Sequence, residues 1–393
     1  MILPRYILPA LENEMTMAEN LVITGMRQVG KTTMLKHLFS QIDSPNKILL
    51  DLENPLYRKL FEEEHFDKIW QNLAEFGILK EKKAYIFLDE VQNLPSISQV
   101  VKYLSDHWEV KFVLTGSSSY YLKNMFPESM SGRKVVYEVF PLTFDEFLGF
   151  KGISRQEITS FTDKAENKNI IAYEKYSGYY KEYVTYGGFP KVVLQQDPER
   201  KRIILNEVFT SYFEHDVKLL ANFKEFGRIR DLILLLAPCI GQKIDVSKLG
   251  VILGTSRETV YSYLTFLEKT YFIKLLPKYS NSIDRQVAGG KKLFLCDSGI
   301  ATILGSVSEG QLLEQSVFQT LHPQHDLAFF ITKSGGEIDF VVDKETALEV
   351  KTNVSKQEIE FFKRKMYKQS FKHGYLVSSG FSSEPEVIVT MSL

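Results

Sequence analysis

The sequence predicts an α/β protein: a parallel sheet with flanking helices, then a helical and winged-helix region, then a second α/β region toward the C-terminus. Three observations predict it. The short apolar run 21–24 ends in a glycine-rich stretch and is followed by Leu and Phe at helical spacing over 33–39. The continuous apolar run 84–88 fits a parallel strand buried on both faces. Distal β-like runs at 329–332, 338–342 and 347–351 are split by Gly335-Gly336 and by Asp343-Lys344-Glu345, as in a meander.

At 393 residues the chain exceeds what one hydrophobic core supports, so roughly two or three domains are expected. The pattern divides it at 1–150, 151–235, 236–300 and 301–393. Hydrophobic residues at 44% and charged residues at 25% match packed globular domains and exclude a disordered or fibrous chain. A net charge of -1 gives no whole-molecule field for a polyanion, so nucleic-acid contact would need a local basic surface. Cys239 and Cys296 lie far apart without a CxxC, which fits a reducing, cytoplasmic setting and argues against structural zinc. The apolar start is quickly followed by acidic residues and lacks a cleavage site, so no secretory signal is expected. With no membrane-length run and no lipidation motif, no membrane partner is expected either.

Between the first strand and helix stands GMRQVGKT, residues 25–32, which fits GxxxxGK[ST] without a mismatch. Its glycines permit turns that aim backbone N–H groups and a helix N-terminus at phosphate. The cradle is Gly25, Met26, Arg27, Gln28, Val29, Gly30, Lys31, Thr32 and Thr33. Lys31 would reach the β/γ-phosphates, Thr32 would offer Mg²⁺ a hydroxyl, and Thr33 would add a phosphate contact. The run 84–88 ends in Asp89-Glu90, a Walker B pattern in which Asp89 holds the Mg²⁺ shell and Glu90 orients or deprotonates the attacking water.

A third buried run, 111–115, leads into Gly116-Ser117, where Thr115 or Ser117 would sense the γ-phosphate unless the pair is simply a turn. Arg133 precedes the β-like run 134–140. There it is either a surface arginine or one that stabilises transition-state charge on a neighbouring subunit's nucleotide, which would require a homo-oligomer.

Residues 151–235 read as a helical lid and connector, rich in Tyr and Phe that belong to a core, with a sharp turn at Tyr186-Gly187-Gly188-Phe189-Pro190. Residues 244–253 and 254–269 then have the spacing of a helix-turn-helix, with Thr255 and Glu258 at capping-box positions and Val260, Leu264 and Leu267 on one face. Wing strands are expected at 275–278 and 291–295. Ser256, Arg257, Thr259 and Tyr261 would open a recognition helix, and residues 200–300 hold sixteen Lys/Arg against ten Asp/Glu. DNA and a protein partner both fit such a surface.

In the distal meander, side chains of Glu349 and Lys351 share a face, and strand pairing would bring Asp339 beside them. Two close carboxylates attract Mg²⁺ or Mn²⁺ while a lysine activates water, so Asp339, Glu349 and Lys351 suit phosphodiester hydrolysis, with Glu314 as a further ligand. The same alternation occurs in any half-exposed hairpin. His322 and His325 read as exposed loop residues outside this chemistry.

With ITGMRQVGKTT, IFLDEVQN, VLTGSSS, SGRKVVYEVFPLTFDEF, YGGFP and EIDFVV…LEVK in order, the chain resembles AAA+ ATPases of bacteria and archaea that carry a C-terminal PD-(D/E)XK nuclease-like domain. The resemblance spans nearly the whole chain. It implies ATP and Mg²⁺ as cofactors, Ser117 in the sensor region, Arg133 as an arginine finger, and DNA as the partner of the winged-helix and C-terminal domains. It leaves two functions open: an ATPase coupled to DNA cleavage, and a non-nucleolytic regulatory or scaffold ATPase.

Overall fold

The computed structural model describes residues 3–117, 133–156, 158–217, 223–280, 282, 284, 286, 289–332, 335–367, 369 and 371–393. They form two compact units, Met1–Phe140 with Lys269–Tyr271 and Pro141–Glu268 with Phe272–Leu393.

In the first unit, helix α1 (Leu8–Glu14) precedes β1 (Asn20–Thr24), helix α2 (Lys31–Gln41), β2 (Lys47–Asp51), β3 (Ala84–Asp89), helix α3 (Ile97–His107), β4 (Val110–Gly116) and β5 (Lys134–Glu138). All pairings are parallel in the order β2-β3-β4-β1-β5. The continuous apolar runs are the interior strands: every residue of β1 and β4 is buried, whereas β5 at the edge is half-exposed. Strand order reverses about β1, which opens a crevice at the carboxyl ends of β1, β3 and β4. Ile97, Val100, Val101 and Leu104 give α3 one apolar stripe facing the sheet's core. Lys111, buried at the amino end of β4, ties down the end of α1 and the chain after it by donating to the carbonyls of Glu14, Met17 and Glu19.

In the second unit the helices used below are α4 (Phe144–Phe150), α5 (Ile170–Tyr186), α6 (Pro198–Tyr212), α7 (Val246–Leu253) and α8 (Arg257–Lys269). An antiparallel pair follows, β6 (Ile273–Leu276) with β7 (Lys292–Leu295), then α9 (Ser298–Leu304) and α10 (Glu309–Leu321). The last sheet runs β8 (Leu327–Ile331), β9 (Glu337–Val342), β10 (Thr346–Lys351), helix α11 (Lys356–Tyr367), β11 (His373–Ser378) and β12 (Val387–Val389). Its order is β12-β11-β10-β9-β8, antiparallel through β8–β10 and parallel from β10 to β12.

The aromatic density of α4 and α5 is core: Phe144, Phe147, Tyr180 and Tyr183 pack together, and the Tyr183 hydroxyl donates to Leu142 O. Three local expectations are corrected. Helix α8 is capped by Ser256, whose Oγ accepts from Thr259 N at 3.2 Å, one residue later than the expected Thr255–Glu258 box. The first wing strand begins at Ile273, because Phe272 and Ile273 are buried. His322 is no exposed loop residue. It closes α10 with its ring stacked on Phe318 at 4.9 Å, and burial pulls its pKa down to about 3.

The Tyr186–Pro190 turn is fixed by a carboxylate far along the chain. Asp297, at the N-cap of α9, accepts from Gly299 N and Ile300 N through Oδ1, and from Gly188 N and Gln319 Nε2 through Oδ2. A Cβ on Gly187, whose φ is +75°, would lie 1.8 Å from Asp297 Oδ1, and one on Gly188 would lie 2.3 Å from Leu142 O. Only glycines permit this approach. Burial pushes the Asp297 carboxyl up to about 6, against the opposing pull of its N–H donors.

Because the folded pKa lies above the ordinary 3.8, the folded protein holds this proton more tightly than the unfolded chain does. The stabilisation is present in full below about pH 3.8 and is lost as pH rises through about 6. Urea unfolding of wild type and Asp297→Asn across pH 4 to 7 is therefore expected to shift relative stability toward the variant by about 3 kcal/mol as pH rises. A pH-independent difference would contradict this.

Candidate functional site

The glycine-rich loop connects the carboxyl end of β1 to α2 at the sheet's crevice. Gly25 has φ +148°, and a Cβ there would sit 2.1 Å from Val139 O, so the first glycine is fixed by the close passage of the chain after β5. Gly30, left-handed at φ +103°, is the N-cap of α2 and offers no side-chain cap to the helix's first N–H groups. Gln28 is also left-handed, at φ +63°. Met26 and Val29 are buried, Arg27 is half-buried and Gln28 is exposed. Lys31 is buried and folds back so that Nζ donates to Gly25 O and Met26 O, both at 2.9 Å. Thr32 is half-buried and Thr33 exposed at the start of α2.

Asp89 ends β3, buried, and accepts from Thr115 Oγ1 on β4. Thr115 Oγ1 in turn accepts from Glu90 N at 3.1 Å. Glu90 adopts φ +53°, a left-handed conformation that turns it away from the strand direction. Gln92 bridges two expected site residues: its Nε2 donates to Glu90 Oε2, and its Oε1 accepts from Ser117 N at 3.4 Å. Thr115 thus serves the paired acids, while Ser117 lies buried beside Gln92.

This donor set fits a nucleoside triphosphate with Mg²⁺: one lysine, a threonine hydroxyl, a carboxylate, a first glycine with no room for a side chain and a second held left-handed at the helix N-terminus. Arg133 is not brought to this crevice. Its neighbour Lys134 pairs with Asn20, at the amino end of β1, and its guanidinium pairs with Asp106 at 2.9 Å. It therefore lies at the opposite end of the sheet from its own chain's loop.

Sequence reasoning missed Arg5 and Gln92. Buried Arg5 donates to Val29 O in the loop and to Phe140 O. Nothing local in the sequence signals either contact.

In the second unit, β9–β10 pairing through Phe340 and Leu348 sets Asp339 beside Glu349, and Asp339 Oδ2 accepts from Val350 N at 2.8 Å. Glu314 projects from α10 against Gly241, where a Cβ would lie 2.4 Å from its carboxylate. At the centre is a residue outside the expected set. Lys292 of β7 is 1% exposed, with Nζ 3.0 Å from Glu314, 2.5 Å from Glu337 and 3.3 Å from Asp339. Glu349 pairs separately with Lys365 of α11 at 2.5 Å and with Lys351 at 3.1 Å.

Burial alone would lower Lys292, but the carboxylates of Glu314, Asp339 and Glu337 outweigh it and hold the ammonium above the usual lysine range. Burial, then Asp339, pushes Glu314 up to about 7 against the pull of Lys292. Burial also raises Asp339 against Lys292, whereas Lys351 is raised by Glu349 despite burial. An ammonium thus stands where the three acids converge. Among the described residues no group of three or more His, Cys, Asp or Glu is arranged to hold a metal ion. Of the expected Mg²⁺ or Mn²⁺ set, Glu314 and Asp339 therefore face Lys292, and Glu349 faces Lys351 and Lys365.

Comparison with known proteins matches residues 18–148 to a family model described as "AAA domain" and residues 177–311 to one described as "Domain of unknown function (DUF8612)". Residues 18–148 are a P-loop NTPase domain. The chain is similar to the uncharacterized protein MJ1544 of Methanocaldococcus jannaschii, 27% identical over 82% of this chain and 71% of that protein. It is also similar to an uncharacterized protein of Haemophilus influenzae, 29% identical over 71% and 67%.

Among solved structures, AMPPCP-bound DnaA from Aquifex aeolicus aligns with TM-score 0.29 and 14% identity over 67% of this chain and 86% of that one. The STAND protein PH0952 from Pyrococcus horikoshii aligns with TM-score 0.28 and 15% identity over 82% of this chain and 45% of that one. The C. elegans PCH-2 structure gives TM-score 0.26 and 16% identity over 36% and 42%, so the chain spans less than half of these last two. Among the described residues no helix is long and apolar enough to cross a membrane.

For the NTPase domain, Gly25→Ala is expected to abolish nucleotide binding, because the loop has no room for a Cβ. Glu90→Gln should keep nucleotide affinity yet lower turnover roughly 100-fold or more. Equilibrium nucleotide binding and phosphate release measured on both variants separate the two roles. Equal loss of binding in both would contradict the assignment.

Proposed function

We propose that the chain is an Mg²⁺-dependent ATPase whose nucleotide state controls a second unit that binds a macromolecule without cutting it. The NTPase domain supplies the first half: Lys31 would reach from the loop carbonyls to the terminal phosphates, Thr32 and Asp89 would hold Mg²⁺, and Glu90 would take the proton of the attacking water. Bound Mg²⁺ would neutralise charge developing on the phosphates. Gln92 would aim Glu90, and Arg133, turned away from its own crevice, would complete a neighbouring subunit's site in a homo-oligomer. The divisions at 150, 235 and 300 and a cytoplasmic setting belong to the same proposal.

The observation that carries the second half is the ammonium of Lys292 among Glu314, Glu337 and Asp339. Removing a lysine buried this deeply from its carboxylates would leave charges unpaired, which costs several kcal/mol. That favours the non-nucleolytic reading over cleavage. DNA is the proposed macromolecule, on the local basic balance and the exposed Ser256, Arg257 and Tyr261 at the start of α8.

The test is ATP turnover together with the integrity of supercoiled and linear DNA, in Mg²⁺ or Mn²⁺, with and without ATP. Wild type is expected to hydrolyse ATP, Lys31→Ala to lose turnover, and every DNA to remain intact. DNA cleavage that disappears in Asp339→Ala would overturn the reading.

A further inference from the structure

Helix α11 carries large apolar groups on two faces, and only one of them is used by the fold. Its inner face is made by Ile359 and Phe362, with Met366, packed against Leu376 of β11 and Val387 of β12. Its outer face carries Phe361, 66% exposed, and Tyr367, 92% exposed. Arg364 lies between them, also exposed. At three-residue steps these groups line one strip, with about 9 Å of axial rise from ring to ring. A helix that already buries Ile359 and Phe362 gains nothing in folding from an exposed Phe361.

The charge around the strip names the partner's sign. Residues 361–373 contain five Lys/Arg and no Asp/Glu. Lys365 is consumed by Glu349, Lys363 pairs with Glu386, and Lys372 pairs with Glu345. Arg364 enters no such pair among the described residues. Glu360 lies one turn before Arg364 and on the same side of the helix as Tyr367, so the strip carries one acid beside its arginine.

We propose that the strip of Phe361, Arg364 and Tyr367 is a docking surface for single-stranded nucleic acid, with bases stacking on the two rings and a phosphate on the guanidinium. A polyanion matches the charge, and a single strand offers the ring faces that a duplex keeps stacked inside. The surface is distinct from the start of α8. It rests on reading the second unit as a binding module.

The test uses the full chain, a fluorescein-labelled 20-nucleotide oligothymidylate, and a labelled duplex of the same length. Binding is read by anisotropy across a salt series, with strand length checked by gel in the same samples. Wild type is expected to bind the single strand more tightly than the duplex. Phe361→Ala and Tyr367→Ala should each raise Kd roughly fivefold or more. Arg364→Gln should reduce the salt slope by about 0.7.

All three positions are exposed, so these variants are expected to fold. No binding, binding unchanged by the three substitutions, or binding lost instead in Tyr261→Ala on α8 would overturn the proposal. A shortened oligonucleotide would overturn the non-cutting reading, yet support the docking surface if the same three substitutions weaken binding.

Discussion

A buried charge must find its partner, and in the second unit one short segment carries two of them. Lys292 lies on β7 and Asp297 follows it at the start of α9. Lys292 finds its carboxylates far along the chain, and Asp297 finds there the donors that its neighbours Gly299 and Ile300 do not supply. Lys292 draws Glu314 from α10 and both Glu337 and Asp339 from β9. Asp297 draws the N–H of Gly188 after α5 and the amide of Gln319 on α10. Between them, Gln315 both accepts from Leu295 N and donates to Leu295 O. Helix α10 thus reads β7 and its exit three times along its length. The two glycines after α5 and Gly241 against Glu314 follow from that seating.

The two candidate sites differ in how their charges are matched. In the NTPase domain, Lys31 donates to backbone carbonyls and Asp89 accepts from a hydroxyl. These are neutral partners, which a phosphate or a cation outcompetes at little cost. In the second unit, carboxylates meet ammonium groups: Lys292 with three acids, Lys365 and Lys351 with Glu349. Dismantling such pairs in a buried setting is unfavourable. One arrangement is poised to receive charge, and in the other the chain's own ammonium groups already pair with the acids.

Whatever the sequence made legible was local. The glycine loop, the acids ending β3 and the strand–loop–helix order are contiguous patterns, because phosphate binding needs consecutive backbone groups. Asp339 and Glu349 were legible through the alternation of a meander. Lys292 was not, since it reaches their site from a strand more than forty residues upstream and looked like a residue of a wing. Arg5 and Gln92 carry no pattern of their own. The Tyr186–Pro190 turn was visible as a turn, but its reason is a carboxylate 109 residues away from Gly188. The cap of α8 was displaced by one residue because adjacent Thr255 and Ser256 offer the same chemistry, and backbone geometry chose between them.

The central claim is that the chain's own lysine, and no divalent cation, occupies the acid cluster. The most direct measurement is Mn²⁺ binding by electron paramagnetic resonance to nucleotide-free Asp89→Asn protein, in which the phosphate-loop site is disabled. The account predicts only free Mn²⁺ signal in that protein, whereas a stoichiometric bound ion that disappears on adding Asp339→Asn would contradict it.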